Sequence, residues 1–278
     1  MKLLSIFVAC ALLCSTAFSQ NNLKVPAPSP ATTIKQDFAL SSVEVNYSRP
    51  SVKGRKIFGD LVPYGKVWRT GANAATTITF GEEVTIGGKK VPAGKYGLLT
   101  IPDQNEWTVI ISKQTNVTGP SAYKESDDVV RVKAKPEQLP FPIETFMIAF
   151  DNIKPTSMDL AILWENTVVS FPITAEVDSK VMTQIDQLMK TDNPPYFLAA
   201  MYYYENGKDL NKAAAWMDKA IEENPKAFWV YHNKANVLAK LGKKKEAAQA
   251  ATKSIELAKE ARNDDYVVLN EKLLAGLK

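Results

Sequence analysis

The chain has 278 residues, with 34 Lys+Arg against 30 Asp+Glu, a formal net charge of +4, one histidine and two cysteines. Cations and acids are mixed along it and each half is close to neutral, which argues against the lopsided basic region of a dedicated nucleic-acid binder, so no nucleic-acid partner is expected. Cys10 and Cys14 are the only cysteines, so the chain beyond them has no disulfide, thiolate nucleophile or thiolate metal site.

Residues 1–19, MKLLSIFVACALLCSTAFS, pair a single cation at Lys2 with an apolar run from Leu3 to Leu13 and small residues before Gln20. That is the pattern of a secretory signal peptide cleaved about Ser19/Gln20, and the apolar run is too short to span a bilayer. Leu12-Leu13 precede Cys14, where a lipobox needs a small residue, so lipidation is not expected. No later run reaches the ~18 apolar residues of a membrane span. The expectation is an exported protein, periplasmic or extracellular, with no transmembrane span after signal removal.

Residues 20–35 (QNNLKVPAPSPATTIK) are rich in Pro, Ser, Ala and Asn and read as a flexible tether. From 36 to 175 the chain alternates with a period of two. SSVEVNYS, ATTITF, EEVTI, KYGLLTI, EWTVIIS, VVRVKAK, TFMIAFDNI, MDLAILWEN and TVVSFPIT are short, β-branched or aromatic runs. Turn chemistry such as Gly87-Gly88 and Pro92-Ala93-Gly94 separates them. Evenly spaced strands of this kind predict an all-β antiparallel sandwich, jelly-roll-like.

Past Ala175 the period changes. Asp178 is positioned to cap a linker helix within 176–193 that bears Val181, Ile185 and Leu188 and ends before Asn193-Pro194-Pro195. Amphipathic helices follow at about 196–206, 210–223, 227–241 and 244–258, then a last one at 265–277 capped by Asn263 or Asp264. The change of period predicts a multidomain chain, with an all-α domain over 194–278.

Aligning Phe197 with Tyr231 gives an offset of 34 residues, the tetratricopeptide (TPR) period. Phe197, Met201, Tyr204, Ala213, Met217, Ala220 and Pro225 fall on the signature positions of a first unit. Tyr231, Ala235, Leu238, Ala247, Ala251 and Ser254 do so in a second. Residues 194–260 therefore resemble TPR repeats, with the final helix as a cap. The resemblance implies a groove that binds a protein or peptide partner, lined by Leu198, Tyr202, Trp229, His232 and Asn236. Asn236 stands where carboxylate-clamp TPRs place an asparagine, but the cations of such a clamp are missing.

The most unusual composition lies in YSRPSVKGRKIFGDLVPYGKVWRTGAN, Tyr47–Asn73, where Arg49, Lys53, Arg55, Lys56, Lys66 and Arg69 face a single acid, Asp60. With the following VPAGKYGLLTIP and EWTVIIS it resembles the bacterial exported domain of unknown function numbered 2911, over about residues 30–175. That kinship implies an exported β-domain and no assigned activity. The residues themselves argue against familiar catalysis. The one histidine, His232, is in the helical half, so no Ser-His-Asp or Cys-His site is present. No His/Cys cluster supports a metal, no glycine-rich phosphate loop a nucleotide cofactor, and Glu82-Glu83 and Asp127-Asp128 read as solvated turn charge rather than a catalytic pair. No catalytic, metal or cofactor residues are assigned.

Anion binding is the chemistry left. Arg49, Arg55, Lys56 and Arg69 supply cations, Asn73 an amide, and Tyr64 and Trp68 aromatic faces for a small anionic ligand or glycan. The competing structural reading is that the arginines satisfy loop carbonyls while Phe58 and Trp68 fill the core. The combined expectation is an exported, non-enzymatic binding or scaffolding protein of a bacterial envelope with a TPR protein-interaction module. Its alternative is an enzyme or carbohydrate-binding module acting on an anionic glycan through the Arg/Trp loops.

Overall fold

In a computed structural model of the chain, residues 25–277 are described; the expected signal peptide and the first part of the expected tether lie outside them. The chain divides into two compact units at Ala175/Glu176.

Among the described residues the first unit has ten strands in two antiparallel sheets. One sheet has the order β1-β2-β3-β6-β7-β8: β1 Ala31–Phe38, β2 Ser41–Ser48, β3 Thr77–Phe80, β6 Gly94–Ile101, β7 Trp107–Ser112 and β8 Asp128–Ala134. The other has the order β5-β4-β10-β9: β4 Val84–Ile86, β5 Lys89–Val91, β9 Pro136–Lys154 and β10 Ser157–Thr174. The sheets do not close into a barrel. The alternation in β2 explains its pairing: Val43, Val45 and Tyr47 are buried while Glu44 and Asn46 are exposed, and a slip of one residue would reverse every one of them. The β4–β5 hairpin turns on Gly87 and Gly88, both at positive φ, the backbone that a two-residue hairpin turn demands. A Cβ on Gly87 would also lie 2.1 Å from Val132 Cγ1.

Three features depart from the strand expectations. β1 takes residues 31–35 out of the expected tether, because ATTIKQDF pairs along its whole length with β2. β9 starts at Pro136 and includes Pro140 and Pro142; prolines that would break a central strand are tolerated here because β9 is the sheet edge. MDLAILWEN and TVVSFPIT form one strand, β10, rather than two. A bulge marks the join at Glu165, which adopts φ 51° between two register shifts. The bulge re-aims the Glu165 carboxylate, which accepts a hydrogen bond from the Phe58 N–H at 3.4 Å.

Between the sheets sits an aromatic cluster. Trp68 stacks against Trp164 with centroids 6.0 Å apart, while Phe58, Trp107 and Phe146 meet it edge to face, geometries worth ~0.5–1.5 kcal/mol per pair beyond the area buried. Tyr47 closes the same region: its hydroxyl donates to Ile148 O and accepts from Ile148 N–H. Every residue of β7 is buried, because the outer face of this sheet is covered too. Val67, Val117 and Tyr123, all from loops, pack on Leu99 and Ile110.

The second unit has six helices among the described residues: α1 Asp178–Leu188, α2 Tyr196–Glu205, α3 Leu210–Glu223, α4 Phe228–Lys240, α5 Lys244–Glu260 and α6 Asp264–Leu277. Alanines make the close approaches, with Ala200, Ala213, Ala235, Ala247 and Ala251 fully buried. Asp209 caps α3 through bonds from the Asn211 and Lys212 N–H groups, and Asn263 caps α6 by accepting from Tyr266 N–H. Asp178 does not cap α1. The helix begins at Asp178 itself, with no side-chain cap, and the carboxylate instead accepts from Tyr202 Oη (2.9 Å) and Lys208 Nζ (2.8 Å). Nor is α1 a free linker: Ile185 is buried in the core with Tyr203 and Met217, and Val181 and Met182 pack against it. No helix among the described residues is long and apolar enough to cross a membrane.

Candidate functional site

The cation-rich stretch folds as a set of turns over one end of the sandwich. Where β3 stops, Trp68 takes its place beside β6, exchanging backbone hydrogen bonds with Thr100 (Trp68 N to Thr100 O 2.7 Å, the reverse 3.0 Å). Val67 and Trp68 then point to opposite faces, Val67 onto the outer cluster and Trp68 into the aromatic one. Ile57 and Val62 pin the intervening loop, both buried, with Val62 N donating to Ile57 O.

These turns and the loop at Thr118–Pro120 enclose a cleft of about 480 Å³. Arg55, Lys66 and Arg69 all line it, together with Trp68, Trp164 and an apolar rim at Leu61. No aspartate or glutamate is among its described lining residues. Two acids on neighbouring segments are engaged by backbone: Glu144 accepts from Lys53 N–H and Glu165 from Phe58 N–H.

The arginines are held by neutral partners. Arg55 donates from Nε to Val52 O (3.0 Å) and from Nη2 to Ser51 O (2.6 Å). Arg69 donates from Nη1 to Thr118 O (2.6 Å), which ties two walls of the cleft together. Its Nε is buried without a partner among the described residues, a deficit that costs about 1–3 kcal/mol. Neither guanidinium is paired with a carboxylate among the described residues, so both positive charges remain uncompensated at the cleft. Lys66 is exposed and makes no bond among the described residues. Arg131 provides the contrast, since it forms ion pairs with Glu125 and Asp128.

The other expected site residues lie elsewhere. Arg49 donates from Nε to Phe146 O (3.1 Å) and does not line the cleft. Lys56 is exposed outside it. The Tyr64 ring lies over Gly59, where a Cβ would come within 2.6 Å of it. Asn73 donates to Ser29 O (3.0 Å). The two readings of the stretch therefore coexist: its arginines do satisfy loop carbonyls and Trp68 does fill the core, yet Arg55, Trp68 and Arg69 also meet at a cavity. Sequence reasoning missed Lys66 as a lining residue and the Thr118–Pro120 wall. Asp128 is likewise no solvated turn charge. Its side chain is buried against Tyr123 and Arg131, and burial pushes its carboxyl above the usual range.

In the helical unit Leu198 is 70% exposed and Trp229 37% exposed. The other three groove positions are engaged internally. Tyr202 is hydrogen-bonded to Asp178, and burial, reinforced by that carboxylate, pushes its hydroxyl up to about 12. Asn236 Nδ2 donates to His232 Nε2 (3.0 Å), which fixes the proton on Nδ1, where it is donated to Asn270 Oδ1 (2.9 Å). Asn270 donates on to Ser254 Oγ, and Ser254 to Phe228 O. This directed chain fastens α6 to the α4/α5 hairpin. Beside it, Lys244, Leu269, Lys272 and Leu273 line a shallow groove of about 530 Å³ with His232 and Asn236.

Residues 29–173 match the family described as a protein of unknown function (DUF2911). The chain belongs to the DUF2911 family. Downstream of the DUF2911 region, residues 194–226 and 216–249 each match a tetratricopeptide repeat, and these repeats supply a protein-interaction module. No curated protein matches the chain.

Proposed function

We propose that this is an exported, non-enzymatic binding or scaffolding protein in which the two units recognise different things. The β unit binds a small anionic ligand in the cleft between its turns, and the helical unit docks a protein. The observation that carries the reading is the convergence of Arg55, Lys66 and Arg69 on one cavity with no acid among its described lining residues. Cations fixed by neutral carbonyls present net charge to a ligand and lose little freedom on binding. Such a lining holds no carboxylate to act as acid or base, so it favours binding over glycoside hydrolysis. The glycan alternative survives as a binding module, because Trp68 borders the same cavity.

For the helical unit, the groove beside α6 offers two lysines and three leucines and no acid among its described lining residues. That complements a partner segment mixing acidic and apolar residues. Export rests on the leader pattern of residues 1–19.

Crystals of the protein soaked with sulfated or phosphorylated compounds test the cleft. Density is expected between Arg55, Lys66 and Arg69, and it should disappear in Arg55→Gln. An empty cleft, or occupancy unchanged in that variant while stability falls, would show the arginines to be purely structural.

A further inference from the structure

The cleft is built in two chemically distinct parts. Its cations come from three positions, Arg55, Lys66 and Arg69, and apart from Ser29 and Thr118 the rest of the described lining is apolar side chain or glycine. Leu61 stands 47% exposed at its rim, and the half-buried indole of Trp68 borders it with Val62 and Val67. A volume of about 480 Å³ falls in the range of ~300–1,000 Å³ that holds whole organic ligands, far more than a bare oxyanion fills. Other walls are flat: Gly71 and Gly119 present backbone, and Pro63 and Pro120 present rings. Gly71 is confined to this role, because it sits at φ 156° and a Cβ there would lie 3.0 Å from Thr76 Oγ1 and 3.1 Å from Ser48 O.

Resting on the anion-binding reading above, we infer that the cleft takes a ring-bearing anion. One carboxylate or phosphate head is held by Arg55, Lys66 and Arg69, and the flat face of an aromatic or sugar ring lies against Trp68 and the exposed Leu61 at the rim. Arg55 and Arg69 are anchored to carbonyls of their own walls, so they set the position of the head. Lys66 has no partner among the described residues and closes on the ligand as a movable charge. The ring contributes through apolar contact and stacking, which an inorganic ion cannot use.

Calorimetric titration of the full chain with four probes separates the parts: phenyl phosphate, glucose 6-phosphate, inorganic phosphate and glucose. At least one of the two ring phosphates should bind about tenfold or more tightly than inorganic phosphate, the gain that removal of ring surface from water supplies; which one does so tells an aromatic ligand from a sugar. Glucose alone should not bind measurably. Lys66→Gln should weaken the ring phosphate about tenfold by removing one charge-assisted contact, whereas Lys56→Gln, an exposed cation outside the cleft, should leave it unchanged. Inorganic phosphate binding as tightly as both ring phosphates would overturn the ligand class and leave the anion site standing. No binding by any phosphate would overturn both. Equal weakening by Lys56→Gln and Lys66→Gln would reduce the effect to overall charge and overturn the site.

Discussion

In the β unit the groups that close the core come from far apart in the chain. Tyr47 is hydrogen-bonded to Ile148, 101 residues away, and Trp68 stacks on Trp164. In the helical unit each helix from α2 onward packs mainly on its neighbours in sequence, with fully buried alanines at the contacts. The difference sets where each unit can carry a site. Long-range pairing leaves the β unit's connections free to fold over the sandwich end, and there they enclose a cavity. Stacked hairpins have short turns, so their recognition surface is the exposed side of the helices themselves.

The sharpest test of this contrast is to remove a ring from the β unit. Trp107 is 1% exposed and meets both Phe58 and Trp68, so Trp107→Ala should destabilise that unit by about 3–5 kcal/mol. Urea unfolding followed by near-ultraviolet circular dichroism should record the loss, while the helical signal at 222 nm keeps its midpoint. Equal shifts in both signals would mean that the units do not unfold separately.

The matching change in the helical unit targets its polar chain rather than a large side chain. Asn270 is fully buried and joins His232 to Ser254. Asn270→Leu leaves His232 Nδ1 without its acceptor and removes the bond to Ser254 Oγ, which should cost about 1–3 kcal/mol. Hydrogen exchange should accelerate in α6 first, with α2 and α3 little affected. Acceleration spread evenly over all the helices would contradict the role of this chain as a local fastening.

The smallest effect concerns Asp178. Hydrogen bonds from Lys208 and Tyr202 hold its carboxyl below the usual range. A carboxyl depressed in the folded state stabilises the fold above its unfolded value, about 4, and that contribution is lost as pH falls through the lower folded value. Asp178→Asn should therefore be less stable than the parent at pH 7, with the difference closing below pH ~4. A difference that persists unchanged in acid would show that the contact does not depend on charge.

Much of the architecture was legible because period is a robust signal. The alternation of SSVEVNYS and the 34-residue spacing of Phe197 and Tyr231 each led to the right element. What escaped did so for physical reasons. Pro136, Pro140 and Pro142 hid the start of β9, since sequence alone does not show that a strand lies at an edge. The bulge at Glu165 has no compositional mark. At the cleft, composition singled out the stretch that supplies most of the lining but not which cations converge. That depended on the Thr118–Pro120 loop folding over it, about 50 residues further on. The groove positions followed from the repeat, yet His232 is bonded to Asn270 of α6, which lies beyond the repeated units, and Asn236 is bonded to His232.

The central claim is that small-anion recognition belongs to the β unit alone, and the five tryptophans report on it directly. Trp68, Trp107 and Trp164 are in the β unit, and Trp216 and Trp229 in the helical one. The indole N–H resonances of the full chain, followed while phenyl phosphate is added, should show a saturable shift at Trp68, whose Nε1 donates to Gly71 O at the cleft wall, and none at Trp216 or Trp229. Shifts confined to Trp216 and Trp229, or no shift at Trp68 at saturating phenyl phosphate, would contradict the account.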